Sequence, residues 1–596
     1  MFVISGLHKL YLLQRSVFMK RINVRLIFPA VLLILFAGAC NTGTESDSTG
    51  KTKKIDSALV TKGEISFEKN CATCHGFRQD GIGPQLSGIT GKVSASWLQT
   101  FIKDPAGVIA SGDKYAVQLH QKYKAMMPPF IALGDEEIDA VIAFLDTKPA
   151  VAVSGNADTA AITNPYPDVI PSSEIAITLH PFIQIPASAS TAPLARITKL
   201  TYQPGTNDLF VVDLRGKLYR IVKDKPEVYM DMEKLKPHFI SKPGLASGFG
   251  SFAFHPEFMK NGLLYTTHTE APGSGIADFK YHDSVKVTLQ WVLTEWKVTD
   301  PKALVFSGTG REMLRVNMVK DIHGVQEILF NPLATPADKD YGILYIGVGD
   351  GGSVENGFPM LPHNTKNIWG TVIRIDPRGN NSRNKQYGIP EDNPFVQAAD
   401  TTLLKEIYCY GFRNPHRITW TKDGKMLVFN IGQRDIESIY SVKPGGDYGW
   451  PLREGNFSIN PYGDINKVYA LPPDDSIYHI TYPVAAYDHD EGKAISGGFE
   501  YTGAIASLKG KIIFGDIPTG RIFYIENKEI QKGKLAPIKA LHIMIDGDST
   551  TLAKACGNER VEVRLGEDAK GVLYVLTKAD GKIYKLTNAD ANVKKR

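Results

Sequence analysis

Short runs of apolar residues recur along the last two thirds of the chain, and each follows a turn residue. A short apolar run after a turn is a strand signal, and the recurrence of one phrase indicates a repeated sheet unit. The pattern therefore predicts an all-β six-bladed propeller over residues 174–596. A pair of β-sandwiches is the alternative, but a sandwich gives no reason for the phrase to recur. The six runs are Asp208-Leu-Phe-Val-Val, Gly262-Leu-Leu-Tyr-Thr, Gly342-Ile-Leu-Tyr-Ile, Gly424-Lys-Met-Leu-Val, Gly510-Lys-Ile-Ile-Phe and Gly571-Val-Leu-Tyr-Val.

A helical periodicity marks a shorter region before these repeats. Between Leu133 and Leu145 the apolar residues stand at helical spacing behind an acidic first turn, which predicts a helix. Ile65 and Phe67 are expected on one amphipathic turn that leads into Cys71. The sequence therefore predicts a multidomain protein, with a small all-α domain at residues 58–148 followed by the all-β domain.

An apolar segment lies near the start of the chain. It runs from about Leu26 to Cys40 behind several basic residues, which is too short to span a bilayer but typical of a signal peptide. The small residues directly before Cys40 resemble a lipobox. We therefore expect residues 1–39 to be a lipoprotein signal peptide and Cys40 to be lipidated, with the protein exported and anchored to a membrane, facing the periplasm or the cell exterior. Ordinary secretion with cleavage nearby is the alternative.

Composition and charge describe the rest as a soluble globular chain. Of 596 residues, 43% are hydrophobic and 22% are charged, which is ordinary for folded domains. Residues 1–39 carry five basic residues and no acid, so their removal would leave 63 basic and 63 acidic residues. A neutral chain gives no electrostatic reason to bind nucleic acid. The polar residues 40–57 and the Ala-, Pro- and Ser-rich residues 149–173 are predicted to be a tether and a linker.

The sequence Cys71-Ala-Thr-Cys74-His75 carries the first candidate chemistry. Two thiols at this spacing can close on the two haem vinyl groups, and the adjacent His75 can bind the iron. A redox CxxC pair or half of a zinc site is the alternative, but the chain has no second CxxC. The motif predicts a covalently bound haem c.

The second haem ligand is expected near Met127. The Met-Pro-Pro turn at this position is the usual presentation of an axial thioether, and Met126 is the weaker candidate. Upstream, Gly83-Pro84 resembles the loop whose proline carbonyl accepts the Nδ1 proton of the ligand His75. Residues 58–148 thus resemble one monohaem cytochrome c, whose His/Met ligation suits an electron acceptor.

Five ordered motifs in the repeat region resemble the glucose/sorbosone dehydrogenase family, whose members are six-bladed propellers that use pyrroloquinoline quinone (PQQ) and calcium. The resemblance spans roughly residues 180–590. The motifs are Gly250-Ser-Phe-Ala-Phe-His255-Pro256-Glu-Phe258, His323 with Phe330-Asn-Pro332, Ile346-Gly-Val-Gly349-Asp350-Gly351-Gly352, Tyr410-Gly-Phe-Arg413-Asn414-Pro415, and Gly445-Gly-Asp-Tyr448-Gly449-Trp450-Pro451.

This resemblance implies a set of site residues. His323 matches the family's catalytic base, which removes a hydroxyl proton while a hydride leaves for the quinone. Arg413 and Asn414 match residues that face the quinone. Gly432 and Gln433 match the backbone carbonyls that hold calcium, a hard cation that takes oxygen ligands. Arg560 matches one of a pair of arginines that bind the cofactor carboxylates.

The chain departs from the family pattern at four positions. The glutamine of the family's glucose enzymes is Ala246, and the acid before the base is Ile322. The cofactor lysine falls at Pro518, and the partner of Arg560 falls at Glu562. These changes argue against glucose as the substrate and weaken the case for the quinone.

Other polar residues have simpler interpretations. Asp350-Gly-Gly is expected to form a turn, and His255 before proline is expected to be a structural turn histidine. Loop histidines are usually solvated. Cys409 and Cys556 could pair or remain buried thiols. The loop histidines in question are His363, His416 and His489.

Two functions follow from these observations. The first is a quinohaemoprotein that oxidises a sugar or related alcohol and passes electrons through the fused haem to a downstream acceptor of a respiratory chain. The second is a cofactor-free binding module attached to an electron-transfer cytochrome. The fused haem favours the first, because a pure binding module has no use for it.

Overall fold

The computed structural model describes residues 56–71, 75, 77, 83–123, 127, 129–130, 133–149, 161–242, 246–281 and 285–591. The predicted signal peptide, most of the predicted tether, Cys40, Cys74 and Met126 lie outside these ranges. Within the described ranges, none of the helices is both long enough and apolar enough to cross a bilayer.

Five helices form the N-terminal region. Each of the first three begins at a side-chain cap, because Asp56, Ser94 and Asp104 accept hydrogen bonds from backbone N–H groups of the following first turn. The last helix begins with three acidic residues, which favour a helix N-terminus. The helices are α1 Ser57–Asn70, α2 Ala95–Lys103, α3 Pro105–Ala110, α4 Lys114–Tyr123 and α5 Asp135–Asp146.

Helices α1 and α5 pack closely because Gly63 has no side chain. A Cβ atom at Gly63 would lie 1.8 Å from the carbonyl oxygen of Ala140. The rings of Phe67 and Phe144 pack beside this crossing, 5.4 Å apart between centroids, and burial of such a side chain is worth about 1.5–3 kcal/mol. The expectation for Ile65 is wrong, since its side chain is 66% exposed. Positions two apart in a helix point to nearly opposite faces.

The rest of the described chain is mainly β-structure, with short helices α6 Met232–Leu235, α7 Phe258–Asn261 and α8 Leu552–Cys556. The first fourteen strands are β1 Ser172–Gln184, β2 Ile197–Tyr202, β3 Leu209–Asp213, β4 Lys217–Val222, β5 Lys225–Asp231, β6 Phe249–Phe254, β7 Leu263–Glu270, β8 Leu289–Val298, β9 Gly308–Met318, β10 Glu327–Phe330, β11 Leu344–Val348, β12 Thr371–Ile375, β13 Ile407–Tyr410 and β14 Pro415–Trp420. The others are β15 Met426–Asn430, β16 Ile436–Val442, β17 Arg453–Glu454, β18 Phe457–Ile459, β19 Val468–Tyr469, β20 Ala485–Asp488, β21 Ile495–Glu500, β22 Lys511–Asp516, β23 Ile522–Glu526, β24 Lys539–Ile545, β25 Asp548–Thr550, β26 Val563–Glu567, β27 Leu573–Thr577 and β28 Lys582–Ala591.

These strands form repeated four-stranded units. Four antiparallel sheets have the orders β2-β3-β4-β5, β6-β7-β8-β9, β10-β11-β12-β13 and β14-β15-β16-β20. A nine-stranded sheet has the order β21-β22-β23-β24-β1-β28-β27-β26, with β25 on β24. In this sheet β1, the first strand of the β domain, pairs antiparallel with the last strand, β28, and parallel with β24. The first and last strands of the β domain are therefore hydrogen-bonded to each other. Strands β17, β18 and β19 form a small inserted sheet.

The first strands of these units pack in a closed order. Strand β2 contacts β6, β6 contacts β10, β10 contacts β14, β14 contacts β21, β21 contacts β26, and β26 contacts β2. The first strands of these units therefore form a closed series of contacts, here called the inner ring, within a large all-β domain.

The six repeated phrases of the sequence all form second strands of these units: β3, β7, β11, β15, β22 and β27. The residue at or near the preceding turn has positive φ in every case, from 63° at Gly262 to 86° at Gly424. Glycine adopts this conformation without a steric cost. Asn207, with φ 65°, does so because Asn tolerates the left-handed region.

Part of the predicted linker packs on the β domain. Ile162 forms a bridge with Val468, and Tyr166 packs edge-on against Phe457. Cys409 and Cys556 are not joined in a disulfide, and Cys409 is buried in β13.

Candidate functional site

The helical domain encloses an apolar cavity that brings together the described haem-site residues. Cys71, His75 and Met127 line the same cavity, surrounded mainly by apolar and aromatic side chains such as Phe67 and Trp97. An apolar lining that meets two potential iron ligands suits a haem. The cavity therefore fits the haem c that the sequence predicts.

His75 is oriented by a backbone carbonyl. Its Nδ1 atom donates to the carbonyl oxygen of Pro84 over 2.8 Å, which confirms the predicted contact and leaves Nε2 free to bind iron. Burial lowers the pKa of His75, and a neutral ring is what a metal ligand must be. A Cβ atom at Gly83 would lie 2.4 Å from Cε1 of His75, so only glycine leaves room for the ring.

The candidate site of the β domain lies at one edge of the inner ring. His323 precedes β10, Arg413 and Asn414 precede β14, and Arg560 precedes β26. Asp350 follows β11, which pairs antiparallel with β10. In an antiparallel pair the start of one strand lies beside the end of the next, so these residues converge at one end of the ring.

His323 forms a buried pair with Asp350. Its Nδ1 atom lies 2.7 Å from Oδ1 of Asp350, and the other carboxylate oxygen accepts the indole N–H of Trp450 over 3.0 Å. Burial alone would raise the pKa of Asp350, but His323, Arg413 and the N–H of Gly352 together lower it. An ionised Asp350 fixes Nδ1 as the donor and leaves Nε2 of His323 able to accept a proton.

The backbone at His323 is held in an uncommon conformation. Its φ angle is 50°, a left-handed value that costs energy for a residue other than glycine. A Cβ atom at Gly349 would lie 2.1 Å from the carbonyl oxygen of His323. The glycine before Asp350 therefore permits the close approach that sets the pair.

Arg413 links the motif regions through several contacts. Its Nε donates to Oε1 of Gln433 over 2.8 Å, Nη1 donates to the carbonyl of Gly432 over 2.5 Å, and Nη2 pairs with Glu355. The guanidinium carbon lies 5.8 Å from the ring centroid of Trp450.

The backbone of Arg413 also contacts the histidine pair. The backbone N–H of Asp350 donates to the carbonyl of Arg413 over 2.8 Å. Arg413 therefore lies beside the His323–Asp350 pair.

This arrangement bears on the predicted calcium site. The carbonyl of Gly432 already accepts a hydrogen bond from a guanidinium, and two cations at one oxygen repel each other. A calcium ion on Gly432 does not fit while Arg413 lies there, and calcium on Gly432 and Gln433 stays a prediction.

The other predicted residues are placed as follows. Asn414 is buried, and its backbone N–H donates to Oδ1 of Asn430 over 3.0 Å. Arg560, which matches the family pattern, forms an ion pair with Glu562, which departs from it. The carbonyl of Pro518 accepts the N–H of Val561.

Several simpler interpretations need correction. Asp350 is buried at the site and does more than form a turn. His416 is not in a solvated loop but is buried in β14, while His363 contacts Asp447 and His489 contacts Glu437. The expectation for His255 is confirmed: its Nδ1 accepts the N–H of Glu257 over 3.0 Å within the turn.

Sequence reasoning missed Asp350, Trp450 and Glu355 as site residues. Asp350 could have been found from its position just after β11, because β11 pairs with β10, the strand that follows His323. Trp450 reaches the site from a loop and Glu355 from the short 3-10 helix Val354–Asn356, and no periodicity gives the path of such connecting segments.

Comparison with known proteins supports this description. The glucose/sorbosone dehydrogenase profile matches residues 196–585, and the cytochrome c profile matches residues 60–148. The HIPL1 protein of Arabidopsis thaliana is 27% identical over 314 residues, which is 45% of this chain and 42% of the relative. Quinoprotein glucose dehydrogenase B of Acinetobacter calcoaceticus is 23% identical over 265 residues, 42% of this chain and 49% of the relative.

One solved structure matches this chain over almost the whole of its own length. The PQQ-bound aldose sugar dehydrogenase of Streptomyces coelicolor is 18% identical, with a TM-score of 0.45, and the match covers 70% of this chain and 98% of that one. This chain spans less than half of the length of the two curated relatives above. Because the glucose/sorbosone dehydrogenase profile covers well over half of the chain, the protein belongs to the glucose/sorbosone dehydrogenase family and carries a cytochrome c domain ahead of its β domain.

Proposed function

We propose that this protein is a quinohaemoprotein dehydrogenase. Its β domain, a six-bladed propeller in this proposal, oxidises a sugar or related alcohol with PQQ, and the electrons pass to the haem c of the same chain. The observation that carries the proposal is the buried His323–Asp350 pair beside Arg413, in a chain that also has a cytochrome c domain.

His323 acts as the general base. Its Nδ1–H is held by Asp350, so Nε2 takes the proton of the substrate hydroxyl. Asp350 stabilises the imidazolium that forms, in the same way as the acid of a hydrolase triad. Trp450 holds the second oxygen of Asp350, which keeps the carboxylate in the orientation that serves the base.

Arg413 and Asn414 would contact the cofactor. A planar guanidinium is suited to carboxylate and quinonoid oxygens, and bound PQQ supplies a two-electron acceptor for the hydride of the substrate carbon. Similarity to a quinoprotein glucose dehydrogenase of Acinetobacter calcoaceticus also supports quinone use. If calcium binds at Gly432 and Gln433, Arg413 has to leave the Gly432 carbonyl.

We also propose a cellular setting on the basis of the N-terminal sequence. Export and lipidation at Cys40 would place the protein on a membrane outside the cytoplasm, where haem c is attached and respiratory acceptors are available. Such an anchor would keep the haem near its downstream acceptor.

A binding module is the second candidate. The lysine and the arginine that bind the cofactor in the family are replaced here by Pro518 and Glu562. Glu562 also forms an ion pair with the remaining arginine, Arg560. A propeller that has lost its cofactor would bind a carbohydrate or a protein without oxidising it.

The two candidates differ in one assay. The full holocytochrome is incubated with PQQ, with and without calcium, and tested against a panel of aldoses and alcohols with an artificial dye as electron acceptor. The dehydrogenase predicts dye reduction that depends on PQQ and on substrate. Measured binding of a sugar without any PQQ-dependent dye reduction would favour the binding module.

A further inference from the structure

A cluster of buried cationic side chains lies directly beside the candidate site. Arg417 and Arg564 occupy the inner-ring strands β14 and β26, and Lys578 follows β27 at the same end of the ring. All three are less than 10% exposed, and His416 beside Arg417 is 2% exposed. We call Lys578, Arg564 and His416 the cationic pocket.

Several polar atoms of the cationic pocket lack a partner, although Nη1 of Arg564 donates to the carbonyl of Val563 over 2.8 Å. Both ring nitrogens of His416 and the Nε atom of Arg564 are buried without a hydrogen bond. For Nζ of Lys578, no hydrogen bond or ion pair is found to any residue in the described ranges. Arg417 differs, because it donates to the carbonyls of Gln326 and Thr198 over 3.0 and 2.6 Å.

The nearby carboxylates are already engaged. Glu562 pairs with Arg560, and Glu327 lies 2.5 Å from Lys199 and 3.5 Å from Arg417. A buried cation without a partner is costly. Glu562 acts on Lys578 and Arg564 as well as on Arg560, so one carboxylate faces three cations and the cationic pocket keeps an excess of positive charge.

The electrostatics of the pocket reflect this excess. Burial and the charges of Arg417, Arg564 and Lys578 hold the pKa of His416 well below its ordinary value. Burial and neighbouring cations outweigh the opposing charge of Glu562, and they lower the pKa of Lys578 well below its ordinary value and that of Arg564 to about 9. An anion in the pocket would relieve each of these costs.

The cationic pocket lies next to the position where the family pattern loses its cations. The backbone N–H of Lys578 donates to the carbonyl of Glu562, and the N–H of Val561, the residue before Glu562, donates to the carbonyl of Pro518. Lys578 is thus hydrogen-bonded to Glu562 and lies near the segment that contacts Pro518. On the other side, His416 is two residues from Asn414 and feels the charge of His323.

We propose that Lys578, Arg564 and His416 form an anion subsite that binds a carboxylate of the polycarboxylate quinone cofactor, in place of the cations absent at Pro518 and Glu562. This inference rests on the proposed function, because it assigns new contacts to the same cofactor. Lys578 supplies the charge, and the unpartnered groups of Arg564 and His416 supply donors.

The test is direct binding of PQQ to the cofactor-free full chain with its haem in place, measured by equilibrium ultrafiltration. Lys578→Met should weaken PQQ binding by at least about 10-fold, since hydrogen bonds to charged groups contribute on that scale. The matched control is Lys570→Met, in the exposed β26–β27 turn, which should bind as the parent does. The same Lys578→Met protein should unfold without PQQ at a temperature equal to or above that of the parent, because an unpartnered buried charge is removed. A purely structural lysine would give the opposite change.

A second arm needs no variant. The trimethyl ester of PQQ keeps the quinone but lacks the carboxylate charges, so the parent protein should bind it at least about 10-fold more weakly than PQQ. Equal binding of PQQ by the parent and Lys578→Met, or equal binding of PQQ and its ester, would overturn the subsite and leave the proposed function standing. If the parent binds no PQQ at all, the proposed function falls and the subsite falls with it.

Discussion

Nδ1 of His323 lies 2.7 Å from Oδ1 of Asp350, although 27 residues separate the two in the sequence. The pairing of β10 with β11 brings them together, and Trp450 holds the free oxygen of the carboxylate. Ile322 stands in place of the acid that precedes the family's base. The structure supplies an acid from the turn after β11 instead.

Replacement of Asp350 by asparagine should slow substrate oxidation strongly. The amide cannot stabilise an imidazolium and need not hold Nδ1 as the donor, so we expect a loss of about 10²–10⁴-fold in rate at saturating substrate. Dye reduction with PQQ-loaded protein measures this loss. The haem spectrum should stay unchanged. A rate within a factor of two of the parent would show that Asp350 does not serve the base.

The haem ligands give a spectroscopic prediction. Met127→Ala should remove the sulfur ligand and leave the haem covalently bound, and Cys71→Ala should prevent normal attachment, because each thiol forms one thioether. The control is Met126→Ala, which should keep the sulfur-to-iron absorption band. Loss of this band in Met126→Ala, with its retention in Met127→Ala, would exchange the assignment of the two methionines.

The contact of Gly63 with Ala140 predicts a large effect from one methyl group. Gly63→Ala places a Cβ atom 1.8 Å from a backbone oxygen, so α1 and α5 have to separate, and we expect a loss of about 1–3 kcal/mol in the stability of the helical domain. Thermal unfolding followed at the haem band measures it. Gly91→Ala is the control, because a Cβ atom there meets nothing within 4 Å. Equal midpoints for both variants would contradict the close packing.

His255 predicts a dependence of stability on pH. Burial and the charge of Arg378 lower the pKa of His255 to about 4, below the ordinary value of about 6.5 in an unfolded chain. The unfolded chain therefore binds this proton more readily, and the associated stability is complete above about pH 6.5 and is lost as the pH falls toward 4.

The comparison uses chemical unfolding at pH 7 and pH 4.5. The parent should lose about 2–3 kcal/mol more between these values than His255→Asn, which keeps an acceptor for the N–H of Glu257 but cannot take up a proton. The exposed His238 provides the control variant His238→Asn. Identical losses in the parent and in His255→Asn would show that His255 is not held neutral.

The sequence predicted the units of the fold well but the site only in part. The six apolar phrases became second strands because each combines a turn residue with a buried run, and both signals are local. The contact of His75 with Pro84 was predictable because it depends on a short loop. Asp350, Trp450 and Glu355 were missed because strand pairing and the paths of connecting segments bring them to the site. Ile65 was misplaced because a spacing of two residues does not define a helix face.

In the proposed function, substrate oxidation in the β domain reduces the haem of the same chain. The most direct measurement is the rate of haem reduction after a substrate aldose is added to PQQ-loaded protein, compared between the parent and His323→Ala. We expect rapid haem reduction in the parent and a loss of about 10²–10⁴-fold in the variant, while a small-molecule reductant still reduces the haem of both proteins equally. Haem reduction by substrate at the same rate in the parent and in His323→Ala would contradict the proposed function.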